Sequence, residues 1–154
     1  MTSSQALLSL LAHAERERNC AMSDAKRVEL EHRAAQRQAD QLLAYRSDYE
    51  LRWSRSFGDG GGIAIVQCYQ GFMQRLDAAI ETQQRVVALA ARRLQDAQAL
   101  WQQREIRVAS VRKLIERREQ QARAGEQRRE QRHQDEHATR AAWLRASGAA
   151  LAPL

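Results

Sequence analysis

Two histidines near the C-terminus, His133 and His137, have the spacing that a zinc site would use. With Glu136 they match the H-x-x-E-H pattern of inverted zinc metalloproteases, in which two histidines four residues apart share one helical face. A metalloprotease also needs a third ligand from another element and a substrate cleft. No His, Cys, Asp or Glu follows His137, so a solvated helical face explains the pair better. Because the chain also lacks a nucleophile-base pair and a cysteine cluster, we predict no metal, no cofactor, no catalytic residue and no enzyme.

A basic stretch, residues 112–140, has the residue types that contact phosphates. Its nine Lys or Arg are interleaved with six Asp or Glu, and the whole chain has a net charge of +6. Phosphate binding needs clustered positive charge, whereas interleaved signs are typical of a solvent-exposed helix with pairs four residues apart. We therefore expect no nucleic-acid partner. A basic coiled-coil module that binds nucleic acid or an anionic surface is kept as the alternative function.

The sequence Gly-Asp-Gly-Gly-Gly at 58–62 could cradle a phosphate or reverse the chain. A phosphate loop opens its helix with Gly-Lys-Ser or Gly-Lys-Thr, but an Ile-Ala-Ile sequence follows here. Gly costs about 1 kcal/mol relative to Ala inside a helix and readily adopts positive φ. Four glycines in five positions therefore favour a turn, and we place its fold point at Asp59.

Both segments that flank this turn carry apolar ladders with a seven-residue repeat, which indicates a left-handed coiled coil. The first ladder consists of Leu7, Ala14, Ala21, Val28, Ala35, Leu42 and Tyr49. The second consists of Val66, Met73, Ile80, Val87, Leu94, Trp101, Val108, Ile115 and Ala122. A companion column lies three residues after the first seven rungs of the second ladder. It consists of Tyr69, Leu76, Gln83, Ala90, Ala97, Arg104 and Val111.

Folding at Asp59 sets the first ladder against this companion column throughout. Tyr49 then faces Tyr69, and Ala14 faces Arg104, whose guanidinium is expected to reach water. Two ladders and one turn agree on a single antiparallel register. The first segment has a poor companion column, which consists of Leu10, Glu17, Asp24, Glu31, Gln38 and Tyr45. A neighbouring column offers Leu11, Ala25, Ala39 and Trp53, so we expect a thin seam that drifts between the two columns.

The predicted fold class is therefore all-α: an antiparallel two-helix coiled-coil hairpin with an overhanging C-terminal helix. We assign residues 1–154 to a single domain. Its helices run over about 3–56 and about 63–147, the glycine-rich turn occupies 58–62, and a frayed tail containing Pro153 follows to 154.

Two further features bear on the compartment. Cys20 and Cys68 would lie roughly 45 Å apart along such a hairpin, at about 1.5 Å per residue, whereas Cα atoms in a disulfide lie within about 7 Å, so we expect free thiols. The N-terminal leucines form too short an apolar run for a signal peptide. No stretch approaches the ~18 apolar residues of a membrane span. We therefore expect a cytoplasmic protein.

Several patches along nearly the whole chain resemble the FliJ family, the soluble stalk-like components of the bacterial flagellar type III export apparatus. The most specific patch runs from Gly62-Ile63-Ala64 through Tyr69-Gln70-Gly71-Phe72 to Leu76, Ala79-Ile80-Glu81 and Gln83. Softer patches are 6–15, 42–49 and 135–142. The resemblance implies an antiparallel stalk like that of rotary ATPases.

The resemblance also implies partners. These are the flagellar export ATPase hexamer, the export gate protein FlhA and export chaperones, at the cytoplasmic face of the inner membrane at the flagellar base, with the membrane reached through partners only. The equivalent stalk of a virulence-type secretion system is a close alternative. The family's gate contact maps onto Phe72, Leu76, Ala79 and Gln83. Gln83 departs from the histidine that the family has there, and Phe72 could instead simply cover the seam.

The rotary-stalk analogy assigns the ATPase ring to the end where the N-terminal turns meet the second helix. This end has more apolar side chains than one seam can bury, and the opposing helix carries several basic side chains. We expect the ATPase-binding tip to comprise Leu7, Leu8, Leu11, Arg112, Lys113, Arg117 and Arg118. Apolar residues would supply affinity and rim charges would steer approach. The alternative is that Leu8 and Leu11 fold back onto Ile115 and close the bundle.

Overall fold

The computed structural model describes residues 3–150, which form two long helices, α1 (Ser3–Gly58) and α2 (Ile63–Ala150). No strand occurs in this described part of the chain, and the prediction of an all-α helical hairpin is confirmed. α2 runs past its predicted end near 147, and the predicted tail with Pro153 lies outside the described residues. Neither helix has a stretch long and apolar enough to cross a membrane.

The turn between the helices depends on one glycine. Gly60 has a φ of +90°, which L side chains rarely adopt. The last turn of α1 is closed by hydrogen bonds from the Asp59 N–H to the Ser56 carbonyl, 3.2 Å, and from the Gly60 N–H to the Phe57 carbonyl, 3.4 Å. The Gly62 carbonyl accepts the first hydrogen bond of α2, from the Ile65 N–H at 3.0 Å. The chain therefore reverses at Gly60, one residue later than predicted.

The described contacts divide the chain into two compact units. One comprises residues 13–107, that is, most of α1, the turn and the first half of α2. The other comprises the described residues up to Ala12 together with those from Val108 onward. A single domain over 1–154 stays a prediction.

In the 13–107 unit, the predicted ladders form the seam. In α1 the buried residues are Ala14, Ala21, Ala25, Val28, Ala35 and Ala39. Four of these belong to the predicted ladder, and Ala25 and Ala39 belong to the neighbouring column. In α2, Met73, Leu76 and Ile80 form a buried cluster, against which Leu42, Tyr49, Tyr69 and Phe72 pack. Small residues on α1 thus face larger ones on α2, which lets the helices approach closely.

The antiparallel register rests on contacts between the two helices. The Gln83 side-chain amide donates to the Ala35 carbonyl at 2.9 Å, a pair that folding at Asp59 places face to face. The aromatic rungs differ from the prediction, because the Tyr49 ring contacts Phe72, with centroids 4.7 Å apart, and not Tyr69. A large ring packs into the hole between several residues of the facing helix rather than opposite one residue. The fold point at Gly60 also moves the position that faces Tyr49 from Tyr69 toward Phe72.

Arg104 also differs from the prediction. Its guanidinium lies 3.0 Å from a carboxylate oxygen of Glu17 on α1 instead of reaching water alone. Glu17 lies 3.9 Å from Arg107 as well, and Arg18 lies 3.7 Å from Glu105. One carboxylate of the poor companion column of α1, that of Glu17, thus pairs with two arginines of α2, and charged contacts join the helices at this weak part of the seam.

In the second unit, Val108 has no exposed surface and Val111 is 8% exposed. Leu7, Leu11 and Ile115 are half-buried. The last residue of the second ladder, Ala122, is exposed and lies past the end of the pairing between the helices. Arg118 already bonds to Ser3, the first described residue of α1, and no later residue of α2 has a facing turn of the described α1. From 126 to 140 every residue is exposed, as predicted for an overhanging helix.

Candidate functional site

The four residues predicted to contact the gate share one edge of α2. Their spacing of four, three and four residues brings Phe72, Leu76, Ala79 and Gln83 onto one side of the helix. They differ in burial, since Leu76 is 8% exposed, Phe72 and Gln83 are half-buried, and Ala79 is exposed. The structure thus brings the predicted residues together, with two facing the seam and two at its margin. Their binding role stays a prediction.

Phe72 has a packing role that the sequence left open. Its ring lies 4.7 Å from that of Tyr49, and the Tyr49 ring lies 4.9 Å from that of Tyr45. A second aromatic group, Trp53 with Tyr69, has centroids 5.0 Å apart. Phe72 therefore covers the seam, and its half-buried ring still offers a face at the edge where a partner would dock.

Gln83 is held in place by α1. Its side-chain nitrogen donates to the Ala35 carbonyl at 2.9 Å and to the Gln38 side-chain oxygen at 3.2 Å. With both donor sites used, the Gln83 carbonyl oxygen is available to accept. A glutamine at this position thus ties the two helices together by hydrogen bonds.

Sequence reasoning missed the contribution of α1 to this edge. An open groove beside Gln83 is lined by Gln38, Gln41, Leu42 and Tyr45. Tyr45 is 52% exposed, and a side-chain hydrogen bond with Tyr49 raises the pKa of the Tyr45 phenol above its usual value. The sequence did contain an indication of this contribution, because Tyr45 is the aromatic member of the poor companion column of α1.

The opposite margin of the seam is charged. Arg46 of α1 lies 2.6 Å from Asp77 of α2 and 2.5 Å from Glu50. The hydrogen bond to Asp77 raises the pKa of the Arg46 guanidinium. This pairing joins the helices beside the buried cluster. Of the two margins of the seam, the edge with Phe72 is therefore the less charged.

The residues of the predicted ATPase-binding tip all lie in the second unit. Leu8 is 54% exposed, whereas Leu7 and Leu11 are half-buried. Arg112, Lys113, Arg117 and Arg118 are exposed, and Arg118 donates to the Ser3 hydroxyl. The tip thus combines one exposed leucine with four basic side chains. Leu11 and Ile115 are both half-buried, as expected if Leu11 closes the bundle, while Leu8 stays exposed.

The histidine pair forms no recognisable metal centre in the described chain. The His133 and His137 rings stack with centroids 4.5 Å apart, and both residues are exposed. Within residues 3–150, no group of three or more His, Cys, Asp or Glu side chains could hold a metal ion. Cys20 and Cys68 are free and exposed, as predicted.

Side chains of the basic stretch pair with one another along the helix itself. Arg123 lies 3.8 Å from Glu119, and Gln131 donates to Asp135 at 3.1 Å. These contacts join residues four apart, which is the pattern of a solvated helix. The stretch therefore presents mixed charge rather than a phosphate-binding stripe.

A comparison with protein families identifies one that spans both helices and the turn. The family model described as flagellar FliJ protein matches residues 3–147. No curated protein and no solved structure matches the chain.

Proposed function

The chain belongs to the flagellar FliJ protein family, and from that premise we propose that it acts as a stalk that links the flagellar export ATPase to the export gate. Family membership makes it a component of the flagellar export apparatus. We further propose that it binds the hexameric ATPase, contacts the gate protein FlhA and handles export chaperones at the cytoplasmic face of the flagellar base. The observation that carries the proposal is the family match over both helices of a hairpin.

Two surfaces support this division of labour. In the 13–107 unit, the edge with Phe72 and Ala79 offers apolar area beside a hydrogen-bonded seam, which suits a specific protein contact. In the other unit, Leu8 of α1 and Lys113 and Arg117 of α2 are exposed. Rim charges raise association rates more than affinity, so this tip suits capture by an acidic surface of the ring.

The gate contact is tested by adding bulk and charge at Ala79. Ala79→Arg should weaken binding of the purified cytoplasmic domain of FlhA at least tenfold, because Ala79 is exposed at the proposed edge but outside the core. Ala88→Arg is the matched control: Ala88 is an exposed alanine nine residues on, about 180° around the helix. Binding is measured by titration calorimetry, with helix content checked by circular dichroism. Equal binding by both variants would contradict the gate assignment.

The tip is tested with a leucine that does not support the core. Leu8→Ser should reduce stimulation of ATP hydrolysis by the purified export ATPase severalfold while melting stays unchanged, because the side chain is 54% exposed. Leu30→Ser serves as the control, since Leu30 is a 64% exposed leucine of the same helix. Full stimulation by Leu8→Ser would remove Leu8 from the tip. Loss of stimulation together with a lower melting temperature would return it to the core.

A further inference from the structure

A second apolar ladder runs along α2 beside the seam. At seven-residue spacing it runs through Ile65, Phe72, Ala79 and Val86; the next position is Arg93, and Leu100 follows it. Ile65, Val86 and Leu100 are 47, 46 and 43% exposed. Single exposed apolar residues are ordinary on protein surfaces, but a seven-residue repeat is the pattern with which one helix packs along another. Phe72 and Ala79, the gate residues at the margin of the seam, are two of its rungs.

A neighbouring column turns part of this ladder into a strip two residues wide. Ala79, Thr82, Val86 and Leu89 follow one another at steps of three, four and three, which is the spacing of a coiled-coil seam. Leu89 is 52% exposed. The Thr82 hydroxyl donates to the Ala78 carbonyl at 2.9 Å, so it needs no partner from a docked segment. The strip is uncharged from Ala79 to Leu89.

Arginines flank the strip. Arg75 lies before Ala79, and Arg92 and Arg93 follow Leu89. Arg75 donates to the Gly71 carbonyl at 3.3 Å, and Arg92 and Arg93 are exposed. The charges at both ends of the strip are therefore positive and available to an acidic partner.

We propose that the gate contact continues along α2 through Thr82, Val86 and Leu89, and that its occupant is an amphipathic helix of the gate protein with an apolar stripe and acidic flanks. The inference rests on the proposed gate contact and extends it. From Ala79 to Leu89 the strip is about 15 Å long, so about three turns of the docking helix cover it. A helix is favoured over an extended strand because α2 offers side chains at heptad spacing and no unpaired backbone edge.

The test measures binding of the purified cytoplasmic domain of FlhA to the full chain. The double variant Val86→Ser with Leu89→Ser should raise the Kd at least tenfold without changing helix content or Tm, because both side chains are about half exposed. The control is Leu30→Ser with Leu51→Ser, which removes two leucines that are 64 and 58% exposed on α1. It should change the Kd less than twofold. Arg92→Glu with Arg93→Glu should weaken binding at low salt and flatten its salt dependence.

The outcomes separate this inference from the function on which it rests. If the Val86 and Leu89 variant binds like wild type while Ala79→Arg loses binding, the gate contact stands and its extension along α2 is wrong. If neither change affects binding, or the wild-type chain does not bind, the gate contact and the extension both fail. If only the Val86 and Leu89 variant loses binding, the partner docks on Val86 and Leu89 without Ala79, and the inference that this contact continues the gate contact is wrong.

Discussion

Leu76 and Phe72 show how one helix edge divides its residues between folding and binding. Leu76 is 8% exposed inside the cluster with Met73 and Ile80. Phe72 packs against that cluster from outside, with its ring on Tyr49. A partner that docks on Phe72 would thus touch a ring that the fold already holds in one orientation. Such preorganisation lowers the entropy lost on binding.

At this scale we predict different stability costs for the two truncations. Leu76→Ala should destabilise the fold by about 2–5 kcal/mol, as expected for a packed leucine. Phe72→Ala should cost only about 1–2 kcal/mol, because part of the ring is exposed and a pair of rings contributes roughly 0.5–1.5 kcal/mol beyond its buried area. Urea unfolding followed by circular dichroism measures both. An equal loss of stability for the two variants, with gate binding intact in Phe72→Ala, would make the ring purely structural.

At the scale of elements, the heptad ladders predicted the seam because a repeat of seven determines which side of a helix is buried. The sequence could not predict which second column of α1 would complete it, since Ala25 and Ala39 compete there with Glu17 and Tyr45 of the adjacent column. That choice depends on small differences in helix rotation, which the facing side chains decide. The structure resolves it by burying the alanines and pairing Glu17 with Arg104.

The turn provides a prediction with a matched pair of glycines. Gly60 has a φ of +90°, whereas Gly62 does not have a positive φ, and neither has an atom within 4 Å of an added Cβ. Gly60→Ala should therefore cost about 1–2 kcal/mol through backbone strain alone. Gly62→Ala should be neutral or slightly stabilising, because it restricts the unfolded chain. Thermal melting of both variants checks this, and a Gly62→Ala change as harmful as Gly60→Ala would mean that the strain lies elsewhere in the turn.

At the scale of the whole molecule, the fold followed from pattern and the site only in part. Seven-residue periodicity and four clustered glycines were enough for an all-α hairpin. The α2 half of the candidate edge could be predicted because the family resemblance assigns the gate contact to single positions of that helix. Its α1 half, with Tyr45 and Gln38 beside Gln83, could not be mapped in that way, because it depends on which residues of two helices meet across the turn. Mixed charge along residues 112–140, read from the sequence alone, also disfavours a nucleic-acid partner.

The proposed stalk is tested most directly by its stoichiometry with the export ATPase. A hairpin that enters the centre of a hexameric ring can be accommodated once, whereas a site on each subunit would be repeated six times by symmetry. Native mass spectrometry of the purified ATPase hexamer with excess full-length chain counts the bound copies. We predict one chain per hexamer. Saturation at six chains per hexamer, or the absence of any complex, would contradict the stalk.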